Sequence, residues 1–555
     1  MKKTLYLLFA VTVLSSCSNF LDTENLTEKN SSNFPATVED IETALVSVYA
    51  ANTEVLVNTE KYQIIQLVSE LMSDYTLSGG GMGDLQARAM AEFKQNGVNM
   101  YSGAWQRYYR GIHRANFILE NIDRVRFDSD IEKNNILGQT YFLRAQFYFD
   151  LARMFEKVPL VLTTSPENKP QAEPDELYAQ IFSDLKLAIN LLPNVTFQEM
   201  SKDDLGRVTK WAAEAMLGRA YLFYSCFYKK ENIRLNDGSD LNKQNVIEYI
   251  DDCIANSGHD LIEDFRELWP YSYSNKEYEY AKGLEWIGED GKNCETVYAF
   301  KFSTMGSAGN LSYCNNINLY YGIRGQETMP FAKGWGWGSV VPKFYKEWPD
   351  DDLRKKATIL NVNDPNEGIS SIYKWNANRN YNETGFYNKK YIPINVRDAQ
   401  GKLVNYSCEL YGVTPNFQYN NTQDMVIIRF SDVLLMGAEL GSSKAQDYMD
   451  RVRGRVNLPS VPPTLENIKK ERLYELAFEG IRFYDLMRWG EIETAVNYMQ
   501  KDVPVKTMGV DDYVTNTFRK ESRGFLPIPE DQMQLSNGVL KQNPGWGIAD
   551  AIYKD

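Results

Sequence analysis

Histidine is nearly absent from this chain, which has only His113 and His259 among 555 residues. A Ser-His-Asp triad and a histidine-rich metal site are therefore disfavoured from the start. Basic charge is also in short supply, because 60 Lys and Arg residues face 74 Asp and Glu residues and leave a net charge of −14. Since phosphate contacts dominate the affinity for nucleic acids, this balance argues against a nucleic-acid partner.

The apolar run at the N-terminus is too short to span a bilayer, which takes about 20 residues. Residues 5–14 follow Lys2 and Lys3 and are typical of a signal peptide. The run ends at Leu14-Ser15-Ser16-Cys17, which resembles a bacterial lipobox. We therefore expect cleavage after residue 16 and a lipid anchor on Cys17. An ordinary signal peptide that happens to contain a cysteine is the alternative.

Cysteine is sparse, and the five cysteines after Cys17 form no CxxC pair. Cys253 lies on an apolar stripe with Val246 and Ile250, so we predict that it is a small buried hydrophobic residue. Cys294 and Cys314 could pair in an oxidising compartment, although nothing in the sequence requires it.

Apolar residues recur at helical spacing over 105–122, 137–155, 178–192 and 213–227. These stripes predict amphipathic helices that pack on one another. The first helix of each pair precedes the second by about 31 or 32 residues, close to the length of a tetratricopeptide unit. A helix near 244–256 could complete a third pair.

Other helices are predicted on either side of these pairs. Thr37 is suited to cap a helix, with Asp40 as the reciprocal partner in a capping box, and a second helix is expected over roughly 60–73. Helical periodicity fades between 270 and 423, where glycine, asparagine and tyrosine are dense. Helices are expected again at 424–440, 443–456 and 464–489, with Thr464 capping the last.

The predicted fold class is mainly α, a degenerate tetratricopeptide-like helical-repeat scaffold with an irregular insertion of loops and short strands. An independent middle domain is the alternative to an insertion. The predicted segments are a signal peptide (1–16), a lipidated tether (17–35), an N-terminal helical-repeat part (36–269), an aromatic-rich insertion (270–423), the C-terminal helices of the scaffold (424–500) and an extended C-terminal segment that packs on the scaffold (501–555).

A series of motifs in fixed order carries a family resemblance. The strongest comprises Glu471-Arg472, Glu475, Glu479-Gly480, Arg482, Asp485, Arg488 and Trp489. Others are Cys17-Ser18-Asn19-Phe20-Leu21-Asp22, Phe34-Pro35-Ala36-Thr37, Tyr141-Phe142-Leu143-Arg144-Ala145, Gly206-Arg207-Val208-Thr209-Lys210, Ile428-Arg429-Phe430-Ser431-Asp432, Leu526-Pro527-Ile528-Pro529 and Gln542-Asn543-Pro544-Gly545-Trp546. Over essentially its whole length the chain resembles the SusD/RagB family of outer-membrane nutrient-uptake lipoproteins.

The resemblance implies four tetratricopeptide-like helix pairs and a lipid-anchored position on the outer face of the Gram-negative outer membrane. It also implies a SusC-like TonB-dependent transporter as partner, a glycan ligand and no catalysis. The resemblance therefore predicts a cell-surface lipoprotein that binds oligosaccharide or polysaccharide and delivers it to that transporter. A peptide-binding member of the same family and an anchored glycoside hydrolase are the alternatives.

The acidic residues of the strongest motif admit two interpretations. Glu471, Glu475 and Glu479 could be the paired carboxylates of a glycosidase, which a retaining enzyme holds about 5 Å apart across a sugar-sized cleft. They could instead form a buried ion network with Arg472 and Arg482. We favour the network, because side chains that arginines hold in place on a helix do not frame such a cleft.

Aromatic residues are concentrated in the insertion, where residues 269–345 contain 17 in 77 positions, well above the 13% of the whole chain. A sugar needs a flat aromatic platform for its C–H face and polar side chains for its hydroxyls. Glycines flank several of these rings and should leave them less covered. The ligand-binding candidates are Tyr313, Tyr320, Tyr321, Trp335 and Trp337, with Asn315 and Arg324 as polar partners. The alternative is that the rings fill a core, as we expect for Tyr298, Phe300 and Phe302.

The loop at 74–84 occupies the place from which members of the family often project binding residues. On that resemblance Asp74 and Tyr75 are also ligand-binding candidates. The loop contains no tryptophan, and Tyr75 is its only aromatic ring.

No cofactor is expected, although Asp350, Asp351 and Asp352 could offer oxygen ligands to a structural calcium ion. These residues lack the spacing of a known calcium loop, so a helix start or a solvated turn is favoured. We expect His113 to pack against a neighbouring helix and His259, which follows a turn, to face solvent.

Overall fold

The computed structural model describes residues 34–54, 65–288, 291–307 and 311–554. The predicted signal peptide, Cys17 and its lipid lie outside these ranges, as do residues 60–64 of the predicted second helix. None of the helices within the described ranges combines the length and the apolar character that crossing a bilayer requires.

Helices form most of the regular structure. They are α1 (Val38–Ala50), α2 (Ile65–Leu71), α3 (Leu85–Ala91), α4 (Ser102–Asn121), α5 (Asp130–Phe155), α6 (Pro174–Leu191), α7 (Lys210–Tyr228), α8 (Lys243–Asn256), α9 (Asn316–Tyr321), α10 (Pro342–Glu347), α11 (Arg354–Thr358), α12 (Tyr406–Tyr411), α13 (Phe430–Leu440), α14 (Ala445–Arg455), α15 (Leu465–Glu475), α16 (Arg482–Trp489), α17 (Ile492–Met499) and α18 (Glu530–Leu535). Short 3-10 turns link several of them.

The predicted helix pairs are confirmed, because α4 packs against α5 and α6 packs against α7. The next helix, α8, lies between α7 and α13. Gly218 makes the close approach of α7 and α8 possible, since a Cβ at that position would lie 2.5 Å from Cδ1 of Ile250. The apolar period of the sequence thus predicts a stack of antiparallel helices, as observed.

The predicted caps are also confirmed. Thr37 accepts a hydrogen bond from the Asp40 amide (3.2 Å), and the Asp40 carboxylate accepts one from the Thr37 amide (3.3 Å). Thr464 caps α15 by accepting from the amide of Asn467 at 3.3 Å. Each cap satisfies a backbone donor that the first turn of a helix leaves without a partner.

Two helix predictions near the C-terminus are wrong in detail. Residues 424–429 do not begin the helix, because Met425–Arg429 forms a strand that precedes α13. The helix predicted at 464–489 is two helices, α15 and α16, separated by a turn in which Phe478 and Gly480 have φ values of 66° and 74°. Helical periodicity continues across this turn in the sequence, but a left-handed backbone cannot continue a helix.

The strands are short and pair two by two. They are β1 (Asn232–Arg234), β2 (Asp240–Asn242), β3 (Thr296–Phe300), β4 (Ile323–Arg324), β5 (Lys333–Gly334), β6 (Ile359–Asn361), β7 (Phe386–Asn388), β8 (Asn395–Arg397), β9 (Leu403–Asn405), β10 (Met425–Arg429), β11 (Val503–Thr507) and β12 (Val510–Val514). Only β4 and β5 among these pairs run parallel.

The insertion and the scaffold share one hydrophobic core. Antiparallel pairing of β3 with β10 joins the beginning of the insertion to the residues just after it, with Phe300 opposite Met425. Tyr298 of β3 contacts the ring of Phe142 on α5 at 5.0 Å, edge to face. The expectation that Tyr298 and Phe300 belong to the core is confirmed, whereas Phe302 is only half-buried.

Candidate functional site

The acidic residues of the strongest motif form a buried ion network, as predicted, but the predicted partners are wrong. Arg472 binds Asp432 and Asp485, and Arg482 binds Asp74. Glu475 lies 2.9 Å from Arg429 and 3.0 Å from Arg354, and it also pairs with Arg455. Glu471 binds Arg354 at 2.5 Å, and Glu479 binds Arg429 at 2.7 Å. The three glutamates, Arg354 and Arg429 are almost completely buried.

The neighbouring arginines determine the ionisation of Glu475. Burial acts to raise the pKa of Glu475, but Arg455, Arg429 and Arg354 outweigh it and hold that pKa well below its usual range. Because these carboxylates bond to arginines in the interior, they do not line a cleft in which a sugar could sit. The network therefore holds helices together and offers no acid and nucleophile to a substrate.

The predicted candidates in the 74–84 loop lie in the interior, so the expectation that they face a ligand is wrong. Asp74 binds Arg482 through both carboxylate oxygens, at 2.9 and 2.8 Å. The Tyr75 hydroxyl donates to Glu70 (3.0 Å) and accepts from the Phe478 amide (2.9 Å). Burial raises the pKa of Glu70 to about 8. Both candidates fix the loop against the turn between α15 and α16.

Four candidates of the insertion are also buried: Asn315, Tyr320, Tyr321 and Trp337. Asn315 caps α9 by accepting from the Ile317 amide, and its side-chain amide donates to the Gln423 carbonyl. The rings of Tyr320 and Trp337 stack at 5.0 Å with 19° between their planes. The expectation that flanking glycines leave these rings uncovered is wrong for Trp337, because other chain segments cover it.

Trp335 and Arg324, by contrast, are half-exposed and lie together. The Trp335 ring contacts Tyr320 at 5.5 Å and Trp337 at 6.0 Å, so buried rings support it from behind. The Arg324 guanidinium donates to the Trp335 carbonyl at 3.2 Å and lies 3.3 Å from the carboxylate of Asp84. We call the area formed by Asp84, Arg324 and Trp335 the Trp335 surface.

Glycines of the 79–84 loop allow the backbone to pass directly under this surface. A Cβ on Gly80 would lie 2.8 Å from Cδ1 of Trp337, and one on Gly81 would lie 2.1 Å from the Arg324 guanidinium. The Gly80 amide donates to the Gly336 carbonyl at 2.6 Å. The glycines thus serve close packing and not flexibility alone.

A surface loop at 371–381, which the sequence analysis did not single out, borders the Trp335 surface. Arg324 donates from Nε to the carbonyl of Asn378 at 3.2 Å. Lys374, Trp375 and Arg379 of this loop are exposed. The sequence signal for it is the asparagine-rich run at 376–382, since Asn tolerates the left-handed backbone that Asn376 and Asn382 adopt.

Tyr313 lies elsewhere, in a cavity of about 810 Å³ between α1 and the residues after β3. The ring is 40% exposed, and Tyr49, Phe302 and Met305 line the same cavity. Lys301, also in the lining, binds Asp424 at 2.5 Å. The structure therefore divides the predicted site residues among the core, the Trp335 surface and this cavity.

Both histidine predictions are wrong. His113 is exposed on the outer side of α4. His259 is buried, its Nδ1 lies 2.9 Å from the Cys294 carbonyl, and burial lowers its pKa to about 4. Cys253 is buried as predicted, and Cys294 and Cys314 do not bond to each other.

The aspartates at 350–352 bind neighbouring cations. Asp352 is buried and binds Arg354 at 2.8 Å, while Asp350 binds Lys355 at 2.6 Å. Within the described ranges, no three His, Cys, Asp or Glu side chains come together as a metal site would require.

Two family models and a relative of known family match this chain. A family model described as "SusD family" matches residues 277–546, and one described as "Starch-binding associating with outer membrane" matches residues 19–222. The chain is 23% identical over 481 residues to SusD-like protein P2 of Formosa agariphila, covering 80% of this chain and 81% of that protein.

Solved structures share the fold. Surface glycan-binding protein A from Bacteroides thetaiotaomicron in complex with laminarihexaose superposes with a TM-score of 0.72 at 22% identity, over 92% of this chain and all of that one. A laminarin binding SusD-like protein superposes with a TM-score of 0.69 at 26% identity, again over 92% of this chain and all of that one. These likenesses confirm the predicted helical-repeat fold.

Proposed function

The chain belongs to the SusD family, and we propose that it binds glycan at the cell surface and delivers it to a SusC-like TonB-dependent transporter, without catalysing a reaction. In this proposal Cys17 carries the lipid that holds the protein on the exterior of the outer membrane. The Trp335 surface is the glycan-binding site.

The observation that carries the site assignment is the half-exposed Trp335 beside an arginine and a carboxylate. A ring supported from behind by Tyr320 and Trp337 keeps a fixed orientation, so little rotamer entropy is lost when a sugar stacks on it. Arg324, which bonds to the Trp335 carbonyl, and its partner Asp84 supply hydrogen-bond donors and acceptors beside this residue. This combination of apolar platform and polar edge matches the two kinds of surface on a sugar.

Two further observations support a binding role. Two structural neighbours are a glycan-binding protein in complex with laminarihexaose and a laminarin binding SusD-like protein. In this chain the clustered glutamates at 471–479 are held by arginines in the interior, which removes the strongest sequence argument for a glycoside hydrolase.

The test is a glycan array and affinity-gel screen of the mature protein starting at Ser18, with Trp335→Ala as the variant. We expect binding to one glycan family and a loss of about tenfold in affinity in the variant, because truncation of an aromatic anchor removes a large part of the binding energy. Tyr249→Ala, which truncates a half-buried ring on α8 of the scaffold, is the matched control. Equal affinity of Trp335→Ala and wild type would rule out this surface as the site.

A further inference from the structure

The loop at 371–381 differs in charge from the chain as a whole. The protein carries a net charge of −14, yet this loop contains Lys374 and Arg379 and no acidic residue. Both side chains are exposed, and neither has an ion-pair or hydrogen-bond partner among the described residues. Many other surface cations are neutralised locally, as Lys506 is by Asp511. The loop therefore presents two positive charges that the protein itself does not neutralise.

The loop is held rigidly from below by one buried carboxylate. Glu383 accepts hydrogen bonds from the Tyr373 hydroxyl (2.5 Å), the Asn376 amide (2.9 Å) and the side-chain amide of Asn380 (2.7 Å). Arg379 itself has a φ of 52°, a left-handed conformation that few residues other than glycine adopt. These bonds fix the backbone from which both cations extend, so binding would cost little backbone ordering.

The loop also carries an aromatic ring between its two cations. Trp375 is 36% exposed, and its edge-to-face contact with Tyr373 at 5.5 Å fixes its orientation. Its indole also lies over Gly385, where a Cβ would come within 2.7 Å of Cη2. A ring held in this way offers a second platform for a sugar beside the cations.

This loop is continuous with the Trp335 surface. Arg324 donates to the carbonyl of Asn378 in the loop and to the carbonyl of Trp335 on the other side. Since Asn378 is three residues from Trp375, their Cα atoms are at most about 10 Å apart. A glycan chain on Trp335 would therefore reach Lys374 and Arg379 within a few sugar residues.

We propose that Lys374 and Arg379 bind the anionic groups of an acidic glycan, carboxylate or sulfate ester, whose chain also contacts the Trp335 surface. This inference rests on the proposed function and names the substrate class. A guanidinium and an ammonium form charge-assisted hydrogen bonds with either anion, and those bonds are stronger than the neutral ones a hydroxyl can make. The rigid loop sets the spacing of the two cations.

The test compares glycans that differ only in charge. Polygalacturonate is paired with its methyl ester, and dextran sulfate is paired with dextran, so that each pair isolates one anion. The mature protein and the double variant Lys374→Gln/Arg379→Gln are measured at low and moderate salt. We expect the wild type to bind at least one charged member about tenfold more tightly than its neutral partner, and the double variant to lose that preference.

The control is Arg126→Gln/Lys202→Gln, which removes the same two charges from exposed positions on the helical scaffold. It separates a localised site from general attraction between the protein and a polyanion, and we expect it to keep the preference. Loss of the preference in the control as well, or retention in the loop variant, would overturn the inference. Binding of neutral glycans alone would overturn it and leave the proposed function standing, whereas no binding to any glycan would contradict both. Whichever charged glycan binds identifies the anion.

Discussion

Arginine serves opposite purposes in two regions of this molecule. In the buried network, Arg429 contacts Glu295, Glu475 and Glu479 and is almost completely excluded from solvent. In the 371–381 loop, Arg379 is exposed and has no partner among the described residues. A buried charge is stable only when its neighbours compensate it, and that compensation leaves nothing for a ligand. An exposed charge without a partner, such as that of Arg379, is by contrast free to pair with an anion from solution.

Aromatic rings show the same division. Trp335 and Trp337 are separated by one glycine, but Trp337 is covered by the 79–81 backbone while Trp335 remains half-exposed. Of these two neighbouring tryptophans, Trp337 therefore belongs to the core, and only Trp335 has a surface that a ligand could contact. The two residues have the same type and the same glycine-rich sequence context, so the fold alone makes them differ in exposure.

Arg429→Gln should have the largest effect on stability, because it leaves three buried carboxylates with less compensation. We expect a loss of about 3 to 5 kcal/mol in the free energy of unfolding, measured by urea denaturation. Arg379→Gln should change that free energy by less than about 0.5 kcal/mol. Similar losses in the two variants would contradict the division into buried and uncompensated arginines.

Trp337→Ala and Trp335→Ala should separate the two tryptophans. Removing the buried Trp337 should cost about 4 kcal/mol through lost burial and a cavity beside Tyr320. Trp335→Ala should cost much less stability and should lower glycan affinity instead. Melting temperature and glycan affinity measured on both variants decide the question, and a larger stability loss in Trp335→Ala would reverse the assignment.

The burial of His259 can be tested through the pH dependence of the free energy of unfolding, with a smaller expected effect. Burial lowers its folded-state pKa to about 4, whereas an unfolded histidine has a pKa of about 6.5. Between pH 4 and pH 6.5 the unfolded state therefore binds a proton that the folded state does not. The contribution of the neutral His259 to the free energy of unfolding is full above pH 6.5 and falls as the pH drops toward 4. At pH 5.5 the loss is about 1.4 kcal/mol.

Urea denaturation of wild type and His259→Asn at pH 7.0 and 5.5 measures this contribution. The variant should lack that part of the pH dependence, while the other titrating groups contribute to both proteins alike. His113→Asn, which changes an exposed histidine on α4, is the control and should keep the wild-type dependence. An identical pH response in wild type and His259→Asn would contradict a buried, neutral His259.

The scaffold could be predicted from the sequence because its signals are local. Helical period and side-chain caps act within a few residues, and α4 to α8 follow from them. The site could be predicted only in part. Asp74 was a candidate from its place in the chain, but its partner Arg482 is 408 residues away and no local pattern indicates it. The aromatic and glycine-rich context makes Trp335 and Arg324 candidates, but it does not distinguish them from the buried Trp337.

The 371–381 loop was missed for a related reason. Its shape depends on Glu383, a carboxylate that resembles any other of the 74 acidic residues in the sequence. Only its contacts with Tyr373, Asn376 and Asn380 show that it is a buried brace. The exposure of Lys374 and Arg379 follows from that brace and cannot be predicted from the sequence of the loop itself.

The anchoring of the 74–84 loop has a consequence for biosynthesis. Tyr75 and Asp74 bind Phe478 and Arg482, and the Gln500 side chain donates to the carbonyls of Ser73 and Thr76. The loop beneath the Trp335 surface thus reaches its final position only after about 500 residues have been made, because synthesis proceeds from the N-terminus. A nascent chain or a C-terminally truncated product would form its early helices without a complete binding surface. Under the proposed function, ligand capture would thereby be limited to chains whose synthesis is complete.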